Sequence, residues 1–214
     1  MDTFGVITGD LVHSRKMRAG EGLVAEALFR PAFKALQAHH KRSVLPFAIH
    51  TYRGDGWQIV TPRPALLLPL ALGMRALIKI EAGTPKADTR MALAIGPIEH
   101  RDGRTIASWD GTAMHRAGAM IDQLRDTRMD FWCGNKELSD SVGVMVQLVD
   151  SLTRGWTPAQ AQAAWGALRG MSQARIAERF RPRAVTQQNV QQHLRTIHWD
   201  TLDAAMEHFG KTFR

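Results

Sequence analysis

The chain has 214 residues, 44% of them hydrophobic, so it is long enough for one large or two modest domains and excludes a disordered protein. A formal charge of +8 and a pI near 10.4 favour polyanionic partners, nucleic acid or nucleotides. The single cysteine, Cys133, excludes an internal disulfide and fits a reducing compartment. From Ser151 onward there are nine Lys/Arg against four Asp/Glu, so the basic character concentrates in the last 64 residues.

The acidic N-terminus has no basic start or long apolar run, so a signal peptide is not expected and the expected compartment is the cytoplasm. The greasiest stretch, Ala65 to Gly73, is interrupted by Pro69 and is far shorter than the ~20 residues a membrane span needs. No membrane association is expected.

In chain order, Phe4-Gly5-Val6-Ile7-Thr8 reads as a buried strand, with a turn at Gly9-Asp10. Residues 21–41 place Leu23, Ala27, Leu28, Ala32 and Leu36 at helical spacing, with Pro31 as a kink. Phe47 to Tyr52 alternates like a strand and resumes at Trp57 after Gly54-Asp55-Gly56, the pattern of a β-hairpin. A buried helix is predicted at 65–81, a strand from Arg90 to Ile98, and a second hairpin turn at Arg101-Asp102-Gly103-Arg104. Residues 111–126 and 135–153 are predicted helical. This order predicts an α+β fold of ferredoxin-like type over residues 1–150, a mainly antiparallel sheet with helices on one face.

A different pattern starts near Gly155. Thr157 and Pro158 suit a helix start, and Gly170 suits its end near Leu168. Ser172 caps a second helix with Ile176, Ala177 and Phe180 facing inward, and Pro182 forces Arg181 out of it. Thr186 caps a third helix, running to about His198, with Val190, Leu194 and Ile197 on one face. Residues 155–214 are therefore predicted to be a small all-α helix-turn-helix domain touching the first, with a turn at 181–185 about three residues longer than the tightest versions. The outward face of the third helix carries Gln188, Gln191, Gln192 and Arg195, types that read adenine and guanine edges, while Arg179, Arg181 and Arg183 are placed for phosphates. DNA is the expected partner. One such unit offers little contact area, so a homodimer is expected. A helical bundle for protein contact is the alternative.

Gly-Asp and Asp-Gly are common turn dipeptides, and either alone is only a turn. Together, Asp10 and Asp55 at neighbouring strand ends form a pair of carboxylates that a divalent cation such as Mg²⁺ would stabilise. The segments Ile7-Thr8-Gly9-Asp10-Leu11-Val12-His13-Ser14 and Tyr52-Arg53-Gly54-Asp55-Gly56-Trp57 resemble the palm-like core of class III nucleotidyl cyclases and diguanylate cyclases. There the equivalent aspartates hold the metal. The stretches Ile7 to Lys16, Arg90-Met91-Ala92-Leu93-Ala94-Ile95-Gly96 and Asp110-Gly111-Thr112-Ala113-Met114-His115-Arg116-Ala117 resemble the SatD family, a palm followed by a C-terminal helix-turn-helix.

That resemblance implies metal ligands Asp10 and Asp55. The backbone amides of Leu11, Val12, His13 and Ser14 run toward a helix and are placed to cradle a nucleotide's phosphate, with Lys16 and Arg53 to offset its charge. It also exposes departures. His115 and Ala119 stand where cyclases carry their transition-state Asn and Arg, and Thr51 stands where they carry the base-selecting Lys. The expected function is a DNA-binding regulator with a degenerate cyclase-like domain. The alternative is an active nucleotidyl cyclase or related phosphoryl transferase.

Overall fold

The computed structural model of the protein describes residues 2–12, 25–52, 54–103 and 105–214. The fold is α+β. Five strands form one open sheet in the order β2-β3-β1-β4-β5, antiparallel except for its last pair.

Strand β1 (Thr3–Leu11) lies at the centre because it is apolar on both faces. Val6 points into one core and Ile7 into the other. Its pairing continues to the end: Asp10 lies opposite Gly56 on one side and Arg90 on the other, and Leu11 opposite Thr89. Gly9 and Asp10 are therefore strand residues, not the expected turn. Gly9 is explained by Trp57, because a Cβ there would lie 2.4 Å from the indole. The hairpin forms as expected from β2 (His50–Tyr52) and β3 (Gly56–Thr61), with Gly54 at φ 81° in its turn.

Helix α1 (Ala25–His39) buries Leu28, Phe29, Ala32 and Leu36, and Pro31 lies within it. Helix α2 (Leu67–Ala82) is buried nearly all round and ends at Gly83, which adopts the left-handed conformation at φ 64°. Strand β4 (Thr89–Pro97) follows. The expected hairpin turn at 101–104 is instead part of a loop closed by one isolated bridge, His100 to Asp110, with a 3₁₀ turn at Ile106–Ser108; residue 104 lies outside the described residues. Helix α3 (Thr112–Gln123) then crosses to β5 (Met129–Cys133), which pairs in parallel with β4. Sequence periodicity does not predict β5, a five-residue edge strand whose buried residues alternate with Asp130 and Trp132. Its exposed side needs no partner strand: the Phe131 amide donates to Asp130 Oδ1 and the Cys133 amide to Ser139 Oγ.

Helix α4 (Lys136–Thr153) packs on β5 through Val142, Val146 and Val149. Helices cover both faces of the sheet, not one: α1, α2 and α4 lie over Ile7, Ile59 and Leu93, and α3 over Val6, Val60 and Ala94. Apolar residues on both sides of the inner strands require this second layer.

The last four described helices are α5 (Pro158–Leu168), α6 (Gln173–Arg179), α7 (Gln187–Thr196) and α8 (Trp199–Thr212). Thr157, Ser172 and Thr186 cap the first three, each accepting from the backbone amide three residues on. Helix α8 is not foreseen in the sequence reading. It returns to the sheet layer, where Phe209 stacks edge-on against Phe131 of β5 at 5.5 Å. Helix α5 packs on α2, and these helices share one continuous core with the sheet.

Beneath α2 lies a charge network in which Arg75, Lys79, Asp88 and Asp150 are buried and Arg128 is partly exposed. Arg75 donates to Asp150 Oδ1 at 2.8 Å, to the Thr153 hydroxyl at 2.6 Å and to the Thr89 carbonyl at 3.2 Å. Its Nε lies 3.1 Å from Asp88 Oδ1, an ion pair without hydrogen-bond alignment. Arg128 binds the other Asp88 oxygen at 2.5 Å, and its backbone amide binds Asp150. Lys79 donates to the carbonyls of Ala87 and Arg154. Burial pulls its pKa down to about 8, against the opposing pull of Asp88. Asp88→Ala leaves two buried cations without this partner, and breaking a buried pair typically costs ~3–5 kcal/mol. Urea denaturation of the variant is expected to show a loss of that size; a loss under about 1 kcal/mol would contradict the network's role.

Candidate functional site

Two regions carry the residues singled out in the sequence. The first is the end of the sheet where β1, β3 and β4 meet. The register places Asp10 opposite Gly56, so Asp55 adjoins it along the chain. Across the other edge of β1 stands Arg90, which the sequence reading treats only as part of a motif. Its Nε donates to Asp10 Oδ1 at 2.9 Å and its Nη2 to Asp10 Oδ2, a two-point pairing. Its Nη1 donates to the Leu124 carbonyl at 3.1 Å. The bond to Asp10 is the main cause holding the Arg90 pKa above its ordinary value, with further support from Asp122 and Asp55.

A guanidinium thus supplies the positive charge that the sequence reading assigns to a cation. Both oxygens of Asp10 are engaged by it, and Asp55 feels the same charge. Among the described residues no group of three His, Cys, Asp or Glu side chains is placed to hold a metal ion. As arranged, both carboxylate oxygens of Asp10 face a guanidinium.

The two described amides of the expected phosphate cradle are engaged. The Leu11 amide donates to the Asp55 carbonyl at 3.2 Å, and the Val12 amide to the Asp88 carbonyl at 2.9 Å. Neither points at open space for a ligand. His13, Ser14, Lys16 and Arg53 lie outside the described residues. Thr51 donates to Glu26, whose pKa is lowered first by Arg30 and then by this bond. His115 contacts Asp110 at 2.6 Å on the exposed start of α3.

The second region is the C-terminal helical face. Gln162 of α5 clamps the turn after α6: it accepts from the Arg181 amide at 2.8 Å and donates to the Arg181 carbonyl at 3.0 Å. The Val185 amide closes back onto the Ala177 carbonyl at 3.1 Å. Phe180 is buried and stacks on His193 of α7 at 5.7 Å. Val190, Leu194 and Ile197 face inward as expected. Gln188, Gln191, Gln192 and Arg195 are all exposed, and so are Arg179, Arg181 and Arg183. The connection from Phe180 to Thr186 is long, in line with the looser turn expected.

Between Arg179 and Trp199 the chain has four arginines and no acidic residue. Among the described residues no carboxylate pairs with any of the four. The face is therefore cationic and amide-rich on a rigid, capped helix pair. No helix among the described residues is long and apolar enough to cross a membrane. Compared with known proteins, the chain matches no family model and no curated protein.

Replacing Arg90 tests the sheet corner. Arg90→Leu removes the guanidinium from both Asp10 oxygens, so that a cation can take its place there. Thermal denaturation with and without millimolar Mn²⁺ should show stabilisation of the variant by the ion and none of the parent. Equal stabilisation of both would mean that Arg90 does not hold the cation's place.

Proposed function

We propose that this chain is a DNA-binding transcriptional regulator, in which the α6–turn–α7 unit reads DNA and the sheet layer is a degenerate cyclase-like palm. The observation that supports this most is the exposed arginine and glutamine face from Arg179 to Arg195, whose arginines have no carboxylate partner among the described residues. Four guanidiniums without carboxylate partners suit phosphates, and exposed Gln191, Gln192 and Arg195 suit base edges in the major groove. Helix α7 begins at a capped N-terminus, which adds favourable dipole interaction with a phosphate.

At the sheet corner, the Arg90–Asp10 pairing and the engaged amides of Leu11 and Val12 favour a structural arginine over a catalytic metal. The SatD resemblance agrees with this division of labour, a palm without its catalytic set joined to a helix-turn-helix. A single unit has a modest contact area, and the reading includes a homodimer on a two-fold site, with half-sites about 34–36 Å apart.

Fluorescence anisotropy with random-sequence duplex DNA over a range of salt checks the reading. Affinity should fall steeply with salt, and each of Arg181→Ala and Arg183→Ala should reduce the log–log slope by about 1. Absence of binding at low salt, or affinity indifferent to salt, would overturn it.

A further inference from the structure

A cavity of about 200 Å³ opens between α2, α5 and α6. Its floor is apolar: Leu77 and Ile176 are each 3% exposed and Phe180 4%, with the Trp165 indole beside them. Its rim is three exposed arginines, Arg169, Arg179 and Arg181. No acidic side chain lines it.

The packing explains why the space exists. Helices α5 and α6 touch tightly at Gly166, where a Cβ would lie 2.5 Å from Ile176 Cγ1. Further along, the Gln162 clamp holds the Arg181 backbone in place. The helices are thus fixed at both ends of the opening. Arg169 lies over the Trp165 ring at 5.7 Å, so one guanidinium already stands above the aromatic floor. Its charge is also felt next door. His39 packs edge-on against Trp165 at 5.6 Å, and its pKa is lowered by burial first and by Arg169 second.

We infer that this cavity is a binding site for a small aromatic carboxylate, its ring on Trp165 and Phe180 and its carboxylate held by the arginine rim. The chemistry of each part selects one part of the ligand. The buried floor rewards an apolar ring. The planar guanidiniums match a carboxylate in two-point geometry. The volume lies below the ~300–1,000 Å³ usual for drug-sized ligands, so a single ring is the fitting size. Arg179 and Arg181 belong to both this rim and the proposed DNA face, so the ligand and a DNA backbone would compete for them.

Benzoate is the probe, with benzyl alcohol as its neutral counterpart, titrated into the full chain and followed by amide chemical shifts and by the His39 ring signals. Benzoate should give saturable shifts confined to the cavity walls and raise the His39 pKa by offsetting the charge of Arg169. Arg169→Gln, a change at an exposed helix end, should weaken it about tenfold, equivalent to ~1.4 kcal/mol, while thermal denaturation verifies the fold. No saturable shifts, shifts centred elsewhere, or benzyl alcohol binding as well as benzoate would each overturn the site. No DNA is present in this titration, so its outcome is separate from that of the DNA reading.

Discussion

The arrangement depends on one buried residue, Asp88. It lies just ahead of β4, and its carboxylate sits among Arg75, Lys79 and Arg128 with none of its surface exposed. Three cations around one carboxylate would be intolerable in an apolar interior without further partners. Asp150 supplies a second negative charge, and the hydroxyl of Thr153 and the carbonyls of Thr89, Ala87 and Arg154 accept the remaining protons. The network pins four parts of the chain at one point: α2, the start of β4, the entry to β5, and the end of α4. Such a set is weak as a source of net stability but strong as a constraint on register, because each misplacement strands a buried charge.

From that point contacts lead to both regions of interest. The Asp88 carbonyl accepts from the Val12 amide, and the Thr89 hydroxyl donates to the Asp10 carbonyl, so the end of β1 is held by the same loop. On the other side Lys79 reaches the Arg154 carbonyl, directly ahead of α5. The sheet corner and the first C-terminal helix are therefore fixed to one ionic frame. With Phe209 packed on Phe131, the helical face has little freedom to turn against the sheet.

Local chemistry made much of this legible. Thr157, Ser172 and Thr186 are caps whose partners lie three residues away, and Val190, Leu194 and Ile197 mark a buried stripe within one helix. The hairpin at Gly54-Asp55 is equally local. What depends on distant pairing was not visible. Asp10 meets Arg90 across a separation of 80 residues, and nothing near either residue announces it. The Gly9-Asp10 turn was misread because the glycine answers to the Trp57 ring on the neighbouring strand, not to a backbone bend. Strand β5 was hidden by its short length and its interleaved polar residue. Helix α8 carries a readable stripe, Leu202, Met206 and Phe209, yet only Ile197 and His198, the latter at φ 54°, separate it from α7, so the two run together in sequence. The candidate DNA face was legible residue by residue because exposure there follows helical periodicity; the cavity beside it was not, because its walls come from three helices.

In the function we propose, nucleic acid engages the C-terminal helical face and leaves the sheet corner alone. Hydrogen–deuterium exchange of the full chain, with and without random-sequence duplex DNA at low salt, reads this directly. Exchange is expected to slow from Arg179 to Thr196 on adding DNA and to stay unchanged at the ends of β1, β3 and β4. Protection at the sheet corner with none in α6 or α7 would contradict it.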